Sequence, residues 1–123
     1  MNIKQAKEIS EPEFEAQVLN FNRPVLVGFL SSWSQACQRF EPVLEEVAGA
    51  CNGSAKVFKV DVDDNPDLGT LYGIQSVPTL ICFRNGTVSM KIIGTVSAKA
   101  ILAKLNSLTV RNISTGDIEP SRG

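Results

Sequence analysis

The sequence predicts an α/β domain built on a central mixed β-sheet with helices on both of its faces. Three observations carry that expectation. Apolar runs of strand length alternate with stretches of helical period, and such crossover connections place successive strands parallel. Thr79–Arg84 and Thr87–Ile93 are joined by Asn85-Gly86, a two-residue hairpin turn that makes the last pair antiparallel. Val25-Leu26-Val27-Gly28-Phe29-Leu30 is one continuous apolar run, as expected of a central strand covered on both faces.

The elements follow in order. A first strand is expected near Ile3 to Ala6. Ser10-Glu11-Pro12-Glu13 opens a helix: Ser10 caps it, Glu13 holds the reciprocal capping-box position, and Pro12 is tolerated in the first turn. That helix should reach about Asn20, where Arg23-Pro24 breaks the chain before the central strand. From Ser34 to Cys51 the period changes, and Cys37, Phe40, Val43, Leu44, Val47 and Ala48 form one apolar stripe. Pro42 lies within this helix and should bend it. Asn52-Gly53 ends it, and 56–62 reads as the next strand. Asn65-Pro66 opens a short helix ending near Tyr72-Gly73. After the hairpin, Ser97 caps a last amphipathic helix bearing Ile101, Leu102 and Leu105. Residues 1–108 form one domain, and 109–123, polar with Gly116, Pro120 and Gly123, read as a flexible tail.

The totals narrow the function. A chain of 123 residues with 43% hydrophobic and 20% charged side chains has globular composition and buries about two thirds of its unfolded surface. Twelve basic side chains face 13 acidic ones, so neither nucleic acid nor an anionic membrane is an expected partner. Apolar runs fall far short of the roughly 20 residues of a membrane span. Met1 to Glu8 lacks the apolar block of a secretory signal, and a cytoplasmic monomer is the expectation. Three cysteines cannot all pair within one chain, which fits a reducing compartment and leaves the sequons at Asn52, Asn85 and Asn112 as turn composition. The chain has no histidine. That removes the commonest general base, the usual activator of a catalytic cysteine and most zinc sites.

Trp33-Ser34-Gln35-Ala36-Cys37 stands at a strand-to-helix junction, with Pro42 in that helix, Val77-Pro78-Thr79 before the hairpin and Gly94 after it. In this order the chain resembles the thioredoxin family over about residues 3–108. The resemblance implies the thioredoxin fold and thiol/disulfide redox lineage, with no cofactor and no metal. The family pattern is Trp-Cys-Gly-Pro-Cys, whose first cysteine attacks a substrate disulfide and whose second resolves the mixed intermediate. At a helix N-terminus, unpaired N–H groups and the macrodipole favour a thiolate. Ser34 occupies that nucleophile position here. An alcohol ionises far above physiological pH, and this chain has no histidine to activate it. The resemblance also implies a buried aspartate in the preceding strand, where this sequence has Gly28, and Lys59 is then expected to lose its partner.

Cys37 matches the resolving thiol, and two roles stay open: a monothiol nucleophile, or a small apolar residue on the helix's core face. Ser34 has a second reading as the helix N-cap. Cys51 lies 14 positions beyond Cys37 on one helix, about 21 Å away, too far for a disulfide. Cys82 is expected in the core, and Cys51, near a helix end, is the better candidate for intermolecular oxidation. Asp61, Asp63 and Asp64 invite a calcium reading, but Pro66 and Tyr72 stand where an EF-hand needs Gly and Glu. They read as strand-end and capping acids.

The resemblance further implies a cis Val77–Pro78 bond and a groove in which client peptide pairs with backbone. Trp33, Gln35, Ala36, Val77, Pro78, Gly94 and Thr95 are the expected binding residues. Two functions follow from different classes. One is a binding module for client peptides or protein thiols, without ordinary dithiol reductase activity. The other is a monothiol oxidoreductase using Cys37 for thiol exchange or glutathione adducts. Ser-Gln-Ala-Cys also looks like the Ser-x-x-Cys motif of bacterial co-chaperone thioredoxin-like proteins, whose tetratricopeptide repeats this chain lacks.

Overall fold

The computed structural model of the chain describes residues 6–117, with backbone alone over 108–117. Five strands form one sheet in the order β1-β3-β2-β4-β5. These are β1 (Lys7–Glu8), β2 (Val25–Leu30), β3 (Lys56–Asp61), β4 (Thr79–Arg84) and β5 (Thr87–Ile93). β3 runs parallel to β1 and β2, and β4 is antiparallel to β2 and β5. The mixed sheet is therefore as the connections require. The first strand lies at Lys7–Glu8, just after the expected span, of which residues 3–5 fall outside the described residues.

Alternation on β2 divides the core in two. Leu26 and Leu30 face the helix α2 (Gln35–Cys51) and the start of α4 (Ala98–Asp117), among Phe40, Leu44, Val47, Leu80 and Ile101. Val25, Val27 and Phe29 face the other way, with Phe14, Val18, Phe58, Leu68, Ile81 and Phe83 beneath α1 (Glu11–Phe14) and α3 (Pro66–Leu71). Every residue of β2 is buried. Each fully buried Leu or Phe contributes about 1.5–3 kcal/mol, so both faces are anchored on this strand.

The element ends follow local chemistry. The Glu13 carboxylate accepts the Ser10 N–H at 2.9 Å, closing the capping box. α1 widens into a π-helical turn over Glu15–Leu19, one residue short of the expected end. Asn52, at φ 48°, takes the left-handed conformation that stops α2. Gly86 has φ 79°, and a Cβ there would lie 2.9 Å from the Leu19 carbonyl oxygen, so both the hairpin and the packing under it require glycine. α4 starts where the Ser97 hydroxyl accepts the Ala100 N–H at 3.1 Å. Its backbone stays helical to Asp117. The polar stretch from 109 thus continues the helix instead of leaving it, and 118–123 lie outside the described residues.

Candidate active site and client groove

The site forms where β2 ends and α2 begins. Ser31 and Ser32 carry the chain out of the sheet to Trp33, which stands 72% exposed. Ser34 then caps α2: its hydroxyl accepts the Cys37 N–H at 3.2 Å. An α-helix leaves its first N–H groups without intrahelical partners, and one of them is spent on Ser34. The Ser34 oxygen therefore works as a cap.

Cys37 points into the core at 1% exposure, and its Sγ accepts the Ser31 N–H at 3.4 Å. The Ser31 hydroxyl donates to Asp63 Oδ2, tying the Trp33 loop to the loop after β3. Opposite this junction the Val77–Pro78 peptide bond is cis. The Gly94 N–H donates to the Pro78 carbonyl at 2.9 Å, which holds the end of β5 beside Pro78.

A groove of about 410 Å³ runs between the two segments, lined by Trp33, Ser34, Val62, Ile74, Gln75, Ser76 and Val77. Of the expected binding residues, Trp33 and Val77 line it. Pro78 is buried behind it, and Gln35, Ala36, Gly94 and Thr95 lie outside its walls. Val62 and Ile74–Ser76 were not legible as site residues, although Ile74-Gln75-Ser76 leads directly into Val77-Pro78. Ile93, 66% exposed and paired with Thr79, adds exposed apolar surface at the end of β5. Cys37 does not line the groove.

Two expectations need correction. Lys59 is not left alone: its Nζ lies 3.4 Å from Glu41 Oε1 and 3.7 Å from Glu45 Oε2. Both carboxylates come from α2, one turn apart, and reach the amine from the helix side of the sheet. Next to it, a Cβ on Gly28 would meet Leu44 Cδ1 at 2.6 Å. Leu44 fills the space a side chain at 28 would need. Cys51 is not an exposed thiol either, because it sits on the core face of the last turn of α2 and is buried with Cys82 in one apolar cluster. Burial pushes the Cys51 thiol up, with nearby Cys82 adding to it. All three cysteines are unpaired.

Burial likewise raises Cys82, against smaller opposing pulls from Ser89 and Arg84, and raises Tyr72. The folded state thus holds these protons more tightly than the unfolded chain, whose thiols ionise near 9.0 and phenol near 10.0. Their contribution is fully present below those values and is lost as pH rises through the folded ones. Thermal midpoints should hold up to about pH 9 and fall progressively above it. A Cys82→Ala variant should show a shallower fall. An alkaline limb of equal slope in both proteins would contradict the assignment.

The acids after β3 behave as turn formers. Asp61 Oδ1 accepts the N–H groups of Asp63 at 2.8 Å and Asp64 at 3.3 Å. Carboxylate oxygens of Glu8, Asp61 and Asp64 lie within 4.8 Å of one another, the one group of described residues with the spacing to hold a cation. No described helix is long and apolar enough to cross a membrane.

Comparison with known proteins agrees with this geometry. The thioredoxin family model matches residues 5–107. The chain belongs to the thioredoxin family. A thioredoxin of Pyropia yezoensis is 37% identical over 99 residues, covering 80% of this chain and 92% of that protein. "Thioredoxin 2" of Chlorobaculum tepidum is 35% identical over 99 residues, with 80% and 91% covered. A thioredoxin of Rickettsia bellii is 31% identical over 102 residues, with 83% and 97% covered. The fold is the thioredoxin fold, and the chain is a redox-family protein by descent.

Proposed function

We propose that this thioredoxin-family chain binds client peptides or protein thiols in the Trp33–Val77 groove and does not act as a dithiol protein-disulfide reductase. The observation that carries this reading is the Ser34 hydroxyl at the entrance of α2, engaged by the Cys37 N–H. A nucleophile there must ionise and attack; this oxygen does neither near neutral pH. Trp33 remains exposed over an apolar groove, and aromatic side chains of that kind dominate binding energies at interfaces. On this reading the partners are proteins that present extended segments to the groove, and the chain acts as a monomer. Three unpaired thiols favour the reducing cytoplasm as its location.

A monothiol reaction at Cys37 is the second reading, favoured by the Ser31 N–H already aimed at its sulfur. Burial opposes it. Two assays separate the readings. Insulin reduction with dithiothreitol should stay at background, and iodoacetamide should label Cys37 slowly in the native protein and fully after denaturation. Robust insulin turnover would overturn the proposal, and rapid native labelling of Cys37 would favour the monothiol enzyme.

A further inference from the structure

Exposed acidic side chains directly follow one wall residue of the groove in the chain. Val62 lines the groove, and the next residue, exposed Asp63, is tied to Ser31, two positions before Trp33. Beyond it lie the gathered carboxylates of Glu8, Asp61 and Asp64. Among the described residues, none of these four acids is in an ion pair. The nearest buried cation, Lys59, is engaged by Glu41 and Glu45. Lys91 Nζ donates to the Tyr72 carbonyl at 3.2 Å, two residues before Ile74. The groove is therefore lined by Trp33, Val62, Ile74 and Val77 together with Ser34, Gln75 and Ser76, and the exposed acids Asp63 and Asp64 follow directly on Val62.

From this charge complementarity we propose that the preferred occupant is an extended client segment with an apolar side chain against Trp33 and a lysine or arginine next to it, facing Asp63 and Asp64. The proposal rests on the reading of the groove as a client site. Apolar contact with Trp33 supplies affinity, and the acids select sequence and orientation, since rim charges steer and discriminate more than they tighten. A cation placed there faces two adjacent exposed carboxylates, Asp63 and Asp64. An acidic neighbour is repelled by them.

The test uses the full chain and two cysteine-free peptides that share one apolar core, one flanked by lysines and the other by glutamates. Trp33 is the chain's one tryptophan, so its fluorescence reports binding at the site, and calorimetry gives Kd independently. The lysine peptide should bind about three- to tenfold more tightly at low salt. The preference should shrink in about 0.5 M salt, where charges are screened within a few ångströms. It should also narrow in the double variant Glu8→Gln, Asp64→Asn. Equal binding of both peptides, or tighter binding of the glutamate peptide, would overturn the charge selection while leaving the groove as a client site. Failure of both peptides to bind would overturn the client reading itself. Self-association that shifts Trp33 emission without peptide would assign the groove to a second copy of the chain and overturn the proposal.

Discussion

Ser34→Cys should lift insulin reduction from background to a measurable rate, about tenfold or more, and adding Cys37→Ala should abolish the gain. The step at issue is attack by a thiolate on a substrate disulfide. At the N-terminus of α2, a sulfur in place of the Ser34 oxygen would meet the same Cys37 N–H, now 3.2 Å from the hydroxyl. Such positions lower a thiol's pKa from about 8.5 toward neutrality, whereas an alcohol stays protonated throughout the physiological range. Cys37, three residues on in the same first turn, then supplies the second sulfur. Its burial at 1% exposure means that it must be reached after the mixed disulfide forms, and Gly28 offers no carboxylate to take its proton. The restored activity should therefore remain slow. A folded Ser34→Cys protein that stays at background would show that a sulfur at position 34 is not what this chain needs to reduce a disulfide.

Much of the architecture was legible because it rests on local rules. The β2 run, the Ser10–Glu13 box, Asn85-Gly86 and the Ser97 cap each announce themselves within four to six residues, and each sits where local chemistry places it. What escaped the sequence depends on contacts between distant segments. The partners of Lys59 come from α2, and their arrival could be seen only once the helix lay across the sheet. Cys51, near a helix end, read as the better candidate for intermolecular oxidation, yet the stripe that begins at Cys37 keeps it on the core face. The groove walls Val62 and Ile74–Ser76 come from two loops brought together by the sheet order. The continuation of α4 to Asp117 runs against its Gly116 and polar composition, and helix propensity there gives no physical account of it.

Leu44→Ala should destabilise the fold by about 3 kcal/mol, within the range of 2–5 for truncating a buried leucine. Leu44 is fully buried between α2 and the sheet, and its Cδ1 occupies the space above Gly28. Truncation leaves a cavity there, bounded by a strand position without a side chain. The response of Gly28→Ala should then change sign with the background. In the natural chain the added methyl meets Leu44 Cδ1 at 2.6 Å, and such overpacking costs about 1–3 kcal/mol even when the neighbour is a side-chain tip. With Leu44 truncated the same methyl enters empty space and restores contacts. It also restricts the unfolded chain, worth about 0.4–1 kcal/mol. Urea denaturation of the four proteins gives the coupling directly. Equal costs for Gly28→Ala in both backgrounds would mean that Leu44 does not fill this space. The same cycle bears on chemistry, because a carboxylate introduced at position 28 can approach Cys37 and Lys59 only if Leu44 yields. Gly28→Asp should accelerate the Ser34→Cys protein in the Leu44→Ala background and do little or harm without it.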